Sequence, residues 1–109
     1  MLDTIVVQTS INSKERAHEI ARAVIEKRLA ATCWIQGPIV GMAWWYGRIM
    51  EGQEWVCTFK TRKELYPELE QTIKELHLYK IPDIVALPAQ AGNPTFLEWV
   101  QQETKQAAS

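Results

Sequence analysis

Two short runs, Ile5-Val6-Val7 and Ile84-Val85-Ala86-Leu87, are apolar at every consecutive position. Side chains along a strand point alternately to opposite faces, so such runs ask for burial on both sides of a sheet. Two main helical patterns accompany them. Ala17, Ile20, Ala21, Val24, Ile25 and Leu29 recur at helical spacing, and Leu65, Leu69, Ile73 and Leu76 form a second stripe. Two helices can cover one face of a four-stranded antiparallel sheet, which leaves an apolar face that wants a partner. A chain of 109 residues is one domain, here residues 1–109, and its own core is modest.

Punctuation along the chain orders the elements. Asp3–Thr9 is rich in β-branched residues and reads as a strand. Asn12, three residues before Glu15, has the spacing of a capping box for the first helix. Ala31–Ile35 resumes an extended pattern, Gly37-Pro38 marks a bend or bulge, and Val40–Ile49 continues it. Glu51-Gly52-Gln53 reads as the hairpin turn, after which Trp55, Cys57 and Phe59 alternate along Glu54–Thr61. Pro67 fits the first turn of the second helix, Pro82 and Pro88 bound a short strand, and Gly92-Asn93-Pro94 opens a last helix. Residues 105–109 read as a frayed tail. The order βαββαβ plus a terminal helix is the α+β, ferredoxin-like split βαβ arrangement.

Charge and composition narrow the function. A net charge of -1 with acids and bases interspersed gives no basic groove, so the five tryptophans do not read as a nucleic-acid stacking platform. No run approaches a membrane span, and the start MLDTIVVQTS lacks the basic segment of a signal peptide. Cys33 and Cys57 lie in apolar surroundings and read as buried free thiols. The cytoplasm is the expected compartment. No nucleophile elbow, phosphate-cradling glycine loop or carboxylate–histidine constellation occurs, so an enzyme is not expected. No spacing typical of a closed metal site occurs either, and His18 reads as a solvated histidine.

The segment His77–Trp99, HLYKIPDIVALPAQAGNPTFLEW, together with Lys60-Thr61 and the Trp45-Tyr46-Gly47 triplet, resembles the CutA family of divalent-cation tolerance proteins. Members typically read W-E-G-K-I, then K-T after a strand, then H-P-Y-E-x-P-E-I-x-x-L-P and G-N-x-x-Y-L-x-W; the likeness runs from about Ile5 to Thr104. It implies a homotrimer of PII-like architecture, its sheets turned to the threefold axis and its long hairpin reaching a neighbour. It also implies metal-ion tolerance, with copper most often invoked. Some copper-associated members use a cysteine on the first strand and a second histidine; the matching positions here are Gln8 and Leu76, so at most weak Cu(II) or Zn(II) binding centred on His77 is expected. The alternative is a trimeric small-ligand sensor or scaffold that signals to a protein partner. Its intersubunit cleft would use Trp45, Lys60, Thr61, His77, Tyr79 and Asp83, and a lysine, a phenol and an indole suit a small anion. Lys60 reads equally as an interface ion-pair residue, and Asp83 as an acid pairing across the interface. Three departures touch this cleft: Tyr46 stands where the family has Glu or Gln, Leu78 replaces Pro, and Lys80 replaces Glu.

Overall fold

The computed structural model describes residues 3–106. Its elements are β1 (Thr4–Ile11), α1 (Lys14–Glu26), β2 (Thr32–Trp45), β3 (Arg48–Arg62), α2 (Tyr66–Leu76), β4 (Ile84–Pro88) and α3 (Pro94–Glu103), with a 3-10 turn at Lys63–Leu65. The four strands form one antiparallel sheet in the order β2-β3-β1-β4. This is the ferredoxin-like arrangement with the additional C-terminal helix. No helix among the described residues is long and apolar enough to cross a membrane.

Alternation decides which side of the sheet is the core. Val7, Ile11, Cys57 and Phe59 point to the helices and are fully buried with Ile20 and Val24 of α1 and Leu69 and Ile73 of α2. Full burial of such side chains stabilises by about 1.5–3 kcal/mol each. The opposite face carries Val6, Gln8, Thr58, Lys60, Trp34, Val85 and Leu87, paired with one another across the strands. Trp34 is 64% exposed, Val85 56% and Leu87 54%. The doubly apolar strands therefore do leave one apolar face open in the single chain.

Three local expectations need correction. The cap of α1 is Ser13 rather than Asn12: helical backbone begins at Lys14, so the Ser13 hydroxyl is the one in reach of the Arg16 N–H, at 3.1 Å. The hairpin turns at Tyr46-Gly47 rather than at Glu51-Gly52-Gln53: a two-residue turn of type I′ needs positive φ at both central positions, and Tyr46 and Gly47 adopt +50° and +75°. Gly52 instead lies within β3, opposite Gly41. Chain order also extends into the expected tail at Lys105, whose N–H donates to the Arg28 carbonyl and whose ammonium pairs with Glu68 at 2.7 Å. Residues 107–109 lie outside the described residues.

The expected irregularity at Gly37-Pro38 is present: the β2–β3 register shifts between Gln36 and Ile39. A Cβ on Gly37 would stand 2.7 Å from Trp55 Cγ and 2.9 Å from the Glu54 carbonyl oxygen. The carbonyl belongs to the neighbouring backbone and cannot step aside. Gly37→Ala is therefore expected to destabilise the protein by about 1–3 kcal/mol, read as a lower urea midpoint; an unchanged midpoint would refute this account of the bulge.

Candidate functional site

The loop between α2 and β4 is tied to the end of β1 through one residue, Ser10. Asp83 accepts from the Ser10 N–H at 3.1 Å through Oδ1 and from the Ser10 hydroxyl at 2.8 Å through Oδ2. His77 closes the same clamp. The Tyr79 N–H donates to His77 Nδ1 at 3.1 Å, which leaves Nε2 as the protonated nitrogen, donating to the Ser10 carbonyl at 2.7 Å. Asp83 is thus engaged within its own chain.

Tyr79 continues this chain of contacts onto the hairpin. Its ring meets His77 edge-on, with centroids 4.7 Å apart. Its hydroxyl lies 2.7 and 2.9 Å from the two carboxylate oxygens of Glu54, to which it donates its one proton. Burial, reinforced by the Glu54 carboxylate, holds the Tyr79 phenol well above the usual tyrosine range. Glu54 was not singled out in the sequence. The signal available was its place on β3 opposite Ile39, obscured by the misplaced turn.

The remaining cleft candidates are dispersed within the subunit. Lys60 lies over the Trp34 ring, 5.7 Å from its centroid, on the open sheet face. Trp45 pairs with Arg48 at the far end of the hairpin. At about 3.3 Å per residue, Arg48 to Lys60 spans about 40 Å, close to the 44 Å length of the whole molecule. Trp45, Lys60 and Tyr79 are therefore not one cavity inside a single chain. Thr61 must be removed from the cleft altogether: alternation turns it inward, where it is fully buried and donates to the Leu29 carbonyl at 2.6 Å.

Two shallow cavities mark the surface. One, of about 180 Å³, is lined by Trp45, Tyr46, Lys80 and Ile81 at the hairpin tip. The other, of about 540 Å³, lies among Thr32, Asn93, Thr95, Phe96 and Trp99.

The residues do not present a preformed metal site. Both His77 nitrogens are already bonded, and among the described residues no three His, Cys, Asp or Glu side chains converge. Gln8 donates through its amide to the Thr58 hydroxyl at 3.3 Å. Cys33 and Cys57 are free thiols at diagonal positions on the helix-facing side of β2 and β3. Cys57 is buried and Cys33 only partly so; their thiols donate to the Ala17 and Trp34 carbonyls at 3.5 and 3.8 Å, and the neighbouring Cys57 side chain, with burial behind it, pushes the Cys33 thiol far up.

Residues 5–103 match the model of the family described as CutA1 divalent ion tolerance protein. The chain belongs to the CutA family. The divalent-cation tolerance protein CutA of Thermus thermophilus is 38% identical over 99 residues, covering 91% of this chain and 96% of that one. Protein CutA of mouse is 40% identical over 93 residues, 85% of this chain, which spans only 52% of the mouse protein. Among solved structures, CutA1 of Oryza sativa superposes with a TM-score of 0.93 at 32% identity, covering 97% of each chain. The Thermus CutA1 structure gives 0.90 at 37% identity, covering 94% of this chain and 99% of that one. The CutA fold thus accommodates a tyrosine in the hairpin turn and a lysine in the α2–β4 loop.

Tyr79→Phe removes the proton that Glu54 accepts and should cost about 1–2 kcal/mol at neutral pH. The cost should depend on pH. Because the folded protein holds the Tyr79 proton more firmly than the unfolded chain, the stabilisation is full below about pH 10 and declines as pH rises towards the folded value. Urea denaturation of both proteins from pH 7 to about pH 11 should therefore show the stability gap narrowing in alkali; a constant gap would remove the Tyr79–Glu54 account.

Proposed function

We propose that this CutA protein works as a homotrimeric sensor or scaffold that holds a small anionic ligand at its subunit boundaries and presents the occupied trimer to a protein partner. The observation that carries the reading is the open sheet face: Trp34, Val85 and Leu87 lie exposed there, with the ammonium of Lys60 over the Trp34 ring and, among the described residues, no carboxylate within salt-bridge distance of it. Large exposed apolar patches mark association sites, and tryptophan is enriched at their centres. The hairpin reinforces this, since Val40, Met42, Trp44, Ile49 and Met50 are exposed along it and would be covered by a neighbouring subunit.

One arrangement speaks for a ligand over catalysis or tight metal binding. His77 spends its ring nitrogens on the Ser10 carbonyl and the Tyr79 N–H, and Asp83 spends its carboxylate on Ser10, which reads as architecture. Metal, as Cu(II) or Zn(II), would have to displace one of the His77 bonds and so would bind weakly. The free thiols Cys33 and Cys57 fit a reducing compartment, which we take to be the cytoplasm.

Sedimentation velocity at micromolar concentration is expected to give a trimer, with unfolding midpoints that rise with protein concentration; a folded monomer would overturn the reading. Lys60→Met keeps the apolar stem and removes the charge. It should preserve the trimer and abolish the stabilisation conferred by any small carboxylate or phosphate that raises the wild-type melting temperature. Dissociation of the trimer by this substitution would instead make Lys60 an interface ion-pair residue.

A further inference from the structure

The corner at the hairpin tip is assembled wholly within one subunit. Trp45 and Tyr46 meet edge to face, ring centroids 5.0 Å apart and planes at 81°, so they form two perpendicular flat walls. The left-handed backbone of Tyr46 sets the second wall, because the turn fixes the direction in which that side chain leaves the chain. Ile81 and Lys80 complete the lining from the α2–β4 loop. That loop is anchored to β1 by His77 and Asp83 and to β3 by Tyr79, so Lys80 sits on a backbone held from both sides.

The chemistry of the corner is specific. Among the described residues no carboxylate lies within salt-bridge distance of Lys80. The ammonium found over an aromatic face among them is that of Lys60, on Trp34. Lys80 is therefore a cation with its counter-charge still to be supplied, beside two aromatic walls and an isoleucine. Tyr46 and Lys80 are also two of the positions where this chain departs from the family motif quoted above; acids at both would have made the same corner negative. A volume of about 180 Å³ admits one small ring and its substituent, well below what a drug-sized ligand fills. The lining holds one ammonium and no guanidinium, Arg48 standing opposite Trp45 across the turn but outside the lining; a single point charge beside flat apolar walls suits a monoanion with a flat apolar body better than a phosphate dianion.

We propose that Trp45, Tyr46, Lys80 and Ile81 form a binding site for a small aromatic carboxylate, its ring against the indole or phenol wall and its carboxylate on Lys80. The proposal rests on the anionic-ligand reading above for the ligand's charge, and supplies the cation from Lys80 instead of Lys60.

Benzoate and its neutral counterpart benzamide are the probes. Each is titrated into the intact protein while the Trp45 indole N–H resonance, assigned by its loss in Trp45→Phe, is followed by NMR. Benzoate is expected to shift that resonance with a Kd in about the millimolar range, as its few heavy atoms allow. Benzamide should bind about fivefold more weakly, and Lys80→Met should bring benzoate down to the benzamide level, as loss of an exposed ion pair implies. Sedimentation of Lys80→Met should match the wild type. The proposal is overturned if benzoate leaves the Trp45 resonance unmoved or if Lys80→Met binds it as the wild type does. It is equally overturned if Lys80→Met changes the oligomeric state, because the corner is then covered by a second copy of the chain. Loss of benzoate binding in Lys60→Met but not in Lys80→Met would sink this site and leave the subunit-boundary reading standing. A monomer that binds benzoate through Lys80 would do the reverse.

Discussion

The left-handed pair at Tyr46-Gly47 closes the β2–β3 hairpin over two residues, and this turn sets every pairing from Trp45 opposite Arg48 onward. In a hairpin, turn length fixes register, and a slip of β3 by one residue would exchange its two faces relative to its partners. Cys57 and Phe59 would then leave the core, while Lys60 would enter it. The same register places Glu54 where Tyr79 can reach it and Trp34 beneath the Lys60 ammonium. The one adjustment is at Gly37-Pro38, where the close approach of Trp55 and the Glu54 carbonyl leaves no room for a side chain.

Much of the fold was legible because periodicity is a direct record of burial. The stripes of α1 and α2 followed from spacing, and the prolines opening α2 and α3 and the strands read at Asp3–Thr9 and Ile84–Leu87, observed at Thr4–Ile11 and Ile84–Pro88, followed from residue type. Turn position was not. Glu51-Gly52-Gln53 is the more polar glycine triplet, yet polarity carries less information than φ, and a tyrosine at +50° is an uncommon choice that tertiary context imposes. The helix cap slipped by one residue for a similar reason, since Asn12 and Ser13 both have capping side chains and only backbone geometry selects between them.

The candidate site was legible residue by residue but not as a constellation. His77, Tyr79 and Asp83 lie close in sequence and do act together, through Ser10 and Glu54. Lys60 and Trp45 belong to one hairpin but to its opposite ends, a separation that the misplaced turn concealed. Thr61 adjoins Lys60 in sequence and faces the other way, as strand alternation requires. Ser10 carried no signal of its own: a serine near the end of a strand becomes informative only when its N–H, hydroxyl and carbonyl are all found engaged.

β2 lies at the edge of the sheet, fourteen residues long, and its sequence TCWIQGPIVGMAWW contains no charged side chain. Natural edge strands are usually blunted by lysines, prolines or bulges; here Pro38 and the adjoining bulge interrupt the edge, while Trp44 and Trp45 lie beyond them. Such an edge is a template for adding foreign strands. On the association proposed above, a newly made chain that has not yet met a second copy would leave this edge open, and at low abundance it would wait longest in that condition. Expression level and chaperone supply, rather than the melting temperature of the finished protein, would then govern how much of it remains in solution.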